Sequence, residues 1–400
     1  MIPFNKLARY EGNKNLFSLV LMSIVSSLAG QSLHIHAEGL RGTGKTSIMR
    51  AAQQILPKIN RIRNCIYNCD PLRPHCPQHK HLSRKEIESI GIETITMPFL
   101  EISHSAKIGT VAGSIDLAKI TDPNQAEAHL LPGLIPQAHR GIVFVDEINR
   151  LADTSPEITD ILLDVMGNKP GHLQIEEAGM PVVDLEICVS LWAASNPDED
   201  PGPLEETRRQ LSDRFDMVCT MGRPDSVEVL AGILQENSYK NKIQKRKGTK
   251  EEEGNHRELE ALRSKIAPWA SIYAEAELPD FLANFIARLY IKNNLESIRA
   301  MEAMQQGAVL YSIIQNRDKV MINDVVATIP WVLKHRTDND TLVRILNDAE
   351  VRGPKDTIMG FAQKLKGQSS PDLEYFPQNA RSLKDMARNE LINTEKNFSE

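Results

Sequence analysis

Two hydrophobic rhythms divide the chain. Over residues 1–222, short apolar runs alternate with amphipathic stretches, the pattern of a parallel sheet whose strands are joined by crossover helices. The expected strands are Leu33–Ala37, Thr94–Ile102, Ile142–Val145 and Ile187–Ala194. From Pro224 the strand-like runs stop and helical spacing takes over, in Phe281, Leu282, Phe285, Ile286 and Leu289 and again in Met301, Met304, Ala308 and Tyr311. The pattern predicts a three-layer α/β/α core over 1–222 and an all-helical domain over 223–336. Lys240–Glu260, dense in Lys and Glu, reads as a solvated loop or helix. Residues 337–400 are polar, with Gly and Pro breaks, and read as a tail of loosely packed helices or a disordered arm.

One apolar run needs a choice. Leu16–Gly30 follows Lys6, Arg9 and Lys14, as the core of a secretion signal would. Ser18, Ser23, Ser26 and Ser27 interrupt it, however, and Leu16, Leu19, Val20 and Ile24 recur at helical spacing. It is read as a buried helix, and no other stretch is apolar enough to span a membrane. The net charge of −6 supplies no basic field, which argues against nucleic acid as the main partner. Five cysteines, three of them crowded into residues 65–76, fit a reducing, cytoplasmic setting better than a disulfide scaffold.

The chemistry begins at Gly39-Leu40-Arg41-Gly42-Thr43-Gly44-Lys45-Thr46, which follows an apolar strand and leads into a helical pattern. Gly39, Gly42 and Gly44 let the backbone curl so that N–H groups, that of Thr43 among them, face phosphate oxygens. Lys45 supplies a charge to the β- and γ-phosphates of ATP, and the Thr46 hydroxyl is a ligand for Mg²⁺. About a hundred residues on, the apolar run Gly141–Val145 ends in Asp146 and Glu147. Acids at the end of a buried strand project into the crevice where ligands bind, Asp146 suited to hold the Mg²⁺ and Glu147 to polarise the attacking water. A third apolar run, Leu191–Ser195, ends in Asn196, which is placed to orient that water or else only to turn the chain at Asn-Pro.

Taken with Leu131-Pro132-Gly133-Leu134, Val145-Asp146-Glu147-Ile148-Asn149, Ala194-Ser195-Asn196-Pro197 and Leu211-Ser212-Asp213-Arg214-Phe215, this order resembles the ATPase (I) subunit of magnesium chelatase, in the AAA+ branch that also holds the MoxR proteins. Val111–Asp116 is similar to that branch's insertion in the second helix, and His172–Leu185 to its hairpin before the sensor strand. The resemblance implies a P-loop AAA+ core, a helical lid, and a ring of like subunits, by analogy a hexamer, with ATP between neighbours. It implies that Arg214 is an arginine finger acting on the next subunit, and that Arg299 is a sensor arginine coupling phosphate state to the angle of its domain. Arg41, Arg208 and Arg209 are weaker interface candidates. The partner implied is either a porphyrin-binding chelatase subunit or, for a MoxR-like remodelling ATPase, a separate von Willebrand A-domain chain. A scaffold that binds nucleotide without hydrolysing it is the third reading, and Glu147 with Arg214 speaks against it.

The family pattern lacks one feature of this chain. Cys65, Cys69, Cys76 and His79, with His75 and His81 nearby, crowd soft ligands into a proline-rich loop. The set fits a structural Zn²⁺ site or an iron–sulfur cluster, the alternative being partly buried cysteines without metal. The opening segment Phe4–Gly12 also departs from the family pattern.

Overall fold

The computed structural model describes residues 2–115, 130–175, 182–224, 226–236 and 250–352. Its strands are β1 (Ile35–Glu38), β2 (Lys58–Ile62), β3 (Ile92–Thr96), β4 (Phe99–Ile102), β5 (Gly113–Ile115), β6 (Leu130–Pro132), β7 (Gly141–Asp146), β8 (Gly171–Ile175), β9 (Val183–Ile187), β10 (Val189–Ser195) and β11 (Met217–Thr220). Five of them form the central sheet in the order β11-β1-β10-β7-β4, every neighbouring pair parallel. Register brings Glu38 level with Ser195 and Thr220, and Ala194 level with Asp146, so these strands end together at one edge.

Parallel strands covered on both faces read as continuous apolar runs, and alternate residues of each strand feed opposite cores. Ile142, Phe144, Trp192, Ala194 and Met217 join one core with the Lys14–Leu28 helix and the C-terminal helices. Val143, Val145, Leu191, Ala193 and Val218 join the other with the helices Ile148–Thr154 and Pro156–Val165.

The Lys14–Leu28 helix lies in the core with Leu16, Leu19, Val20 and Ile24 wholly buried. Its serines are partnered: Ser23 accepts from Trp192 Nε1 (2.8 Å) and donates to the Leu33 carbonyl (2.8 Å), and Ser27 meets Ser190 (2.7 Å). Against this helix packs Lys250–Glu275, followed by the helices Asp280–Lys292, Ile298–Ile314 and Ile322–Leu333. None of the described helices is long and apolar enough to cross a membrane.

Three expectations need correction. The run Thr94–Ile102 is two strands parted at Met97–Pro98: β3 pairs antiparallel with β2 outside the main sheet, while β4 forms its edge. The run Ile187–Ala194 likewise breaks at Cys188, because β9 belongs to a hairpin with β8. A packed helix, Asn339–Arg352, lies beyond Arg336 and buries Leu342, Ile345 and Leu346, so the helical region extends past the expected start of the tail. Asp116, residues 176–181 of the segment His172–Leu185, residues 240–249 of the Lys/Glu run and 353–400 of the tail lie outside the described residues.

Candidate functional site

The phosphate loop leaves the carboxyl end of β1, beside β10. Gly39 (φ 147°) must lack a side chain, since a Cβ there would lie 2.7 Å from the Met221 carbonyl oxygen. Gly42 (φ 77°) and Gly44 (φ 89°) take the left-handed conformation that glycine adopts without strain, and Gly44 caps the Lys45–Ala51 helix. The Thr43 carbonyl accepts from the Tyr10 hydroxyl (3.1 Å), and Gly222 N–H donates to Gly12 O (2.8 Å). The opening segment thus braces the loop, a contact with no signal in the sequence.

Lys45 is buried, and its ammonium donates to the carbonyls of Gly39 and, at 2.9 Å, of Leu40. Burial lowers its pKa to about 8, which a phosphate beside it would counter. Thr46 Oγ1 donates to Asp146 Oδ1 (3.1 Å), tying the loop to the end of β7. Two hard oxygen ligands in contact are the donor set that Mg²⁺ prefers when it also binds phosphates. Arg50, one turn beyond Thr46, reaches the other Asp146 oxygen (3.3 Å) and pairs with Glu101 on β4 (Nε to Oε2, 3.0 Å). Both residues escape a motif search; only the four-residue spacing from Thr46 hints at Arg50.

Glu147 starts the Ile148–Thr154 helix in the left-handed conformation (φ 53°) and pairs with Arg150 (3.2 Å) while half exposed. Asn196 follows β10 directly and donates to Glu199, which also pairs with Arg41. Hydrogen bonding from Arg41, and from Asn196 beside it, outweighs the small effect of burial and leaves the Glu199 pKa below the usual carboxylate range. Asn149 Nδ2 donates to the backbone oxygens of Asn196 (3.3 Å) and Gly202 (3.0 Å), fixing that turn against the helix after β7. Lys45, Thr46, Asp146, Glu147 and Asn196 therefore gather at the carboxyl edge of the sheet, where open α/β sheets bind ligands.

Arg214 and Arg299 lie elsewhere. Arg214 ends the Arg209–Arg214 helix just before β11 begins, at the amino edge, and donates to the Leu163 carbonyl (3.2 Å). Arg299, in the first turn of the Ile298–Ile314 helix, donates to the carbonyls of Met166 (3.3 Å) and Gly167 (2.6 Å). With Lys169 and Arg336 they line a cleft of about 720 Å³. Burial, then the charge of Arg299, push the Arg214 pKa down. Asp216 at the same edge accepts from Lys169 (2.9 Å) and from His34 N–H (2.7 Å). The four residues of β1 alone separate this cleft from the phosphate loop by about 13 Å. Arg299 thus keeps company with Arg214 at this edge, not with the phosphate loop of its own chain. Arg208 is engaged by Asp160.

The cysteines fall on the loop between β2 and β3. One ligand atom each from Cys65, Cys69, Cys76 and His79 all lie within 4.8 Å of one another, and all four residues are buried. Hydrogen bonds among the thiols hold the Cys65 pKa low and push that of Cys76 up and that of Cys69 to about 11. A cation between sulfurs this close would favour their charged forms.

The helical region matches a family model, the AAA lid domain, over residues 283–352. The chain is 27% identical over 346 residues to the magnesium-chelatase subunit ChlI of Euglena gracilis, covering 86% of this chain and 93% of that protein. It is 26% identical over 357 residues to the magnesium-chelatase 38 kDa subunit of Acidiphilium rubrum, covering 88% and 95%. Among solved structures, a putative ATPase from Cytophaga hutchinsonii shares the fold with a TM-score of 0.51 at 16% identity, over 88% of this chain and 91% of that one. With the phosphate loop, the acidic pair and the lid in place, the chain is an ATP-hydrolysing AAA+ protein similar to the ATPase subunits of magnesium chelatase.

Proposed function

We propose that this chain is the motor of a ring of its own copies, a hexamer, in which ATP is hydrolysed between neighbours and the work is passed to a separate chelatase-type subunit that inserts Mg²⁺ into a porphyrin. One observation carries the ring: the phosphate-binding groups sit at one edge of the sheet and the arginine pair at the other. A complete site then needs two chains, the carboxyl edge of one facing the amino edge of the next.

In that junction the loop amides and Lys45 hold the triphosphate, and Thr46 and Asp146 hold its Mg²⁺. Bound Mg²⁺ neutralises charge on the transferring phosphoryl group. Glu147 accepts the proton of the attacking water, which Asn196 orients. Arg214 and Arg299 from the neighbour stabilise charge on the γ-phosphate, so hydrolysis waits on assembly. The test is subunit mixing. Arg214→Ala and Lys45→Ala proteins, each inactive, should regain ATPase activity when mixed, because some junctions receive an intact loop and an intact arginine. Failure to regain activity at every ratio, with mixed rings demonstrated, would discard the shared site.

A second reading is a MoxR-like remodelling motor working with a von Willebrand A-domain chain. The observation on its side is the folded Cys/His loop, an addition that the phosphate chemistry does not use. Co-purification from the native host separates the two by which partner appears. We also read the Cys/His loop as a metal site, for Zn²⁺ or an iron–sulfur cluster, and place the protein in the cytoplasm, in keeping with three cysteines gathered in one loop instead of spread as a disulfide framework.

A further inference from the structure

We infer that Cys65, Cys69, Cys76 and His79 hold a single Zn²⁺ ion in a closed, structural site, with His75 outside the coordination shell. The inference rests on reading this loop as a metal site and goes on to fix the ion, the ligands and the purpose.

Size decides the ion. In a tetrahedral zinc site, bonds of about 2.3 Å to sulfur place the ligand atoms roughly 3.8 Å apart. The four candidate atoms already lie within 4.8 Å of one another, so one ion at their centre needs only a small contraction. A cluster inserts several irons and sulfides between its cysteines and spreads their sulfurs beyond this spacing. The donor set, three thiolates and an imidazole, is also one that structural zinc takes.

The outer shell is that of a thiolate site. Cys69 Sγ accepts the backbone N–H groups of Cys76 (3.3 Å) and His75 (3.4 Å), donors that stabilise a negative sulfur. His75 Nδ1 stands 3.3 Å from the same sulfur, while its ring stacks on His139 with centroids 3.7 Å apart. Donation from His75 to the Cys69 thiolate fits the outer-shell role of orienting a ligand, whereas His79 Nδ1 lies 3.2 Å from Cys76 Sγ inside the set. Four buried protein ligands leave no open position for a reacting molecule, which makes the site structural.

The loop needs such a pin. Between Cys65 and His79 the two large aliphatic residues are exposed, Leu72 by 77% and Ile66 by 55%, so the interior of this segment is made by the three cysteines with Tyr67. The same loop braces the approach to β7, through Asn68 Nδ2 on the Gln137 carbonyl (2.5 Å) and the Asp70–Arg140 ion pair (3.3 Å). Zinc therefore holds a loop that in turn supports the strand ending in Asp146 and Glu147.

Metal and acid-labile sulfide should be quantified on the full-length protein, with parallel Co²⁺ loading to report coordination by colour. The expected result is about one zinc per chain, no labile sulfide, and a tetrahedral cobalt spectrum with thiolate charge-transfer bands. His79→Ala should lower zinc affinity by far more than His75→Ala, for which a loss of about 10–100-fold with unchanged stoichiometry is expected. Should the cysteine variants fail to fold, these two histidine variants and the cobalt spectrum still decide. Iron with labile sulfide would overturn zinc while leaving a metal in the loop. A folded protein that binds no metal at micromolar Zn²⁺ would overturn both, and greater loss in His75→Ala would overturn the ligand assignment.

Discussion

Lys334 donates to Glu38 across 2.5 Å, joining the end of the Ile322–Leu333 helix to the last residue of β1. Glu38 directly precedes Gly39, so the helical region grips the strand that presents the phosphate loop. Both side chains are nearly sealed from water, and Lys334 also reaches Thr220 on β11. Burial alone would raise the Glu38 pKa; Lys334, and His36 behind it, outweigh burial and bring it below the ordinary value.

Breaking a buried pair by removing one member strands the other charge, at a cost of about 3–5 kcal/mol. Lys334→Met should therefore lower thermal stability markedly, and adding Glu38→Gln should recover most of the loss. A single variant as stable as the parent, by calorimetry, would show that the pair does not hold the two regions together.

Glu147→Gln keeps the size of the side chain and removes its basicity. ATP binding should stay within about twofold and hydrolysis should fall at least about a hundredfold, the usual contribution of a positioned general base. Single-turnover hydrolysis beside a fluorescent-nucleotide titration separates the effects; normal turnover would remove Glu147 from the mechanism.

Arg299 shares its cleft with Arg214, so it should share its genetics. Arg299→Ala should bind ATP normally as a free subunit, lose hydrolysis in the ring, and be complemented by Lys45→Ala subunits. A defect that Lys45→Ala subunits cannot repair would return Arg299 to its own chain's site.

Glu205 supplies a pH test. Burial, with Glu38 nearby, raises its pKa to about 7. Between the ordinary value of 4.5 and 7 the folded state binds the proton more tightly than the unfolded one, so its contribution to stability is lost as pH rises through that window. A tenfold change in proton affinity corresponds to about 1.4 kcal/mol, so Glu205→Gln should stabilise the protein by up to about 3 kcal/mol at pH 8 and by little at pH 4.5. Melting curves at the two pH values check this, and an equal effect at both would contradict it.

Much of the site is legible along the chain because its chemistry is local. The spacing of Gly39, Gly42, Gly44, Lys45 and Thr46 encodes a backbone bend, and an apolar run closing on Asp146 and Glu147 encodes a strand end. Asn196 is legible for the same reason. Arg50 and Glu101 are not, since their link to Asp146 joins three separate elements. Thr94–Ile102 reads as one strand because its two halves differ in sheet, not in hydrophobicity.

The sequence by itself determined the α/β core, the helical region that follows, the phosphate-binding groups, and a Cys/His set dense enough in sequence to mark a candidate metal loop. Only the tertiary structure decided where Arg214 and Arg299 point, that Lys334 holds the strand before the phosphate loop, and that the cysteines converge on one point. The physical reason is range: a bend or a strand end is set by neighbours in sequence, whereas which edge of a sheet a side chain reaches depends on strand order and direction, which no short stretch of sequence contains.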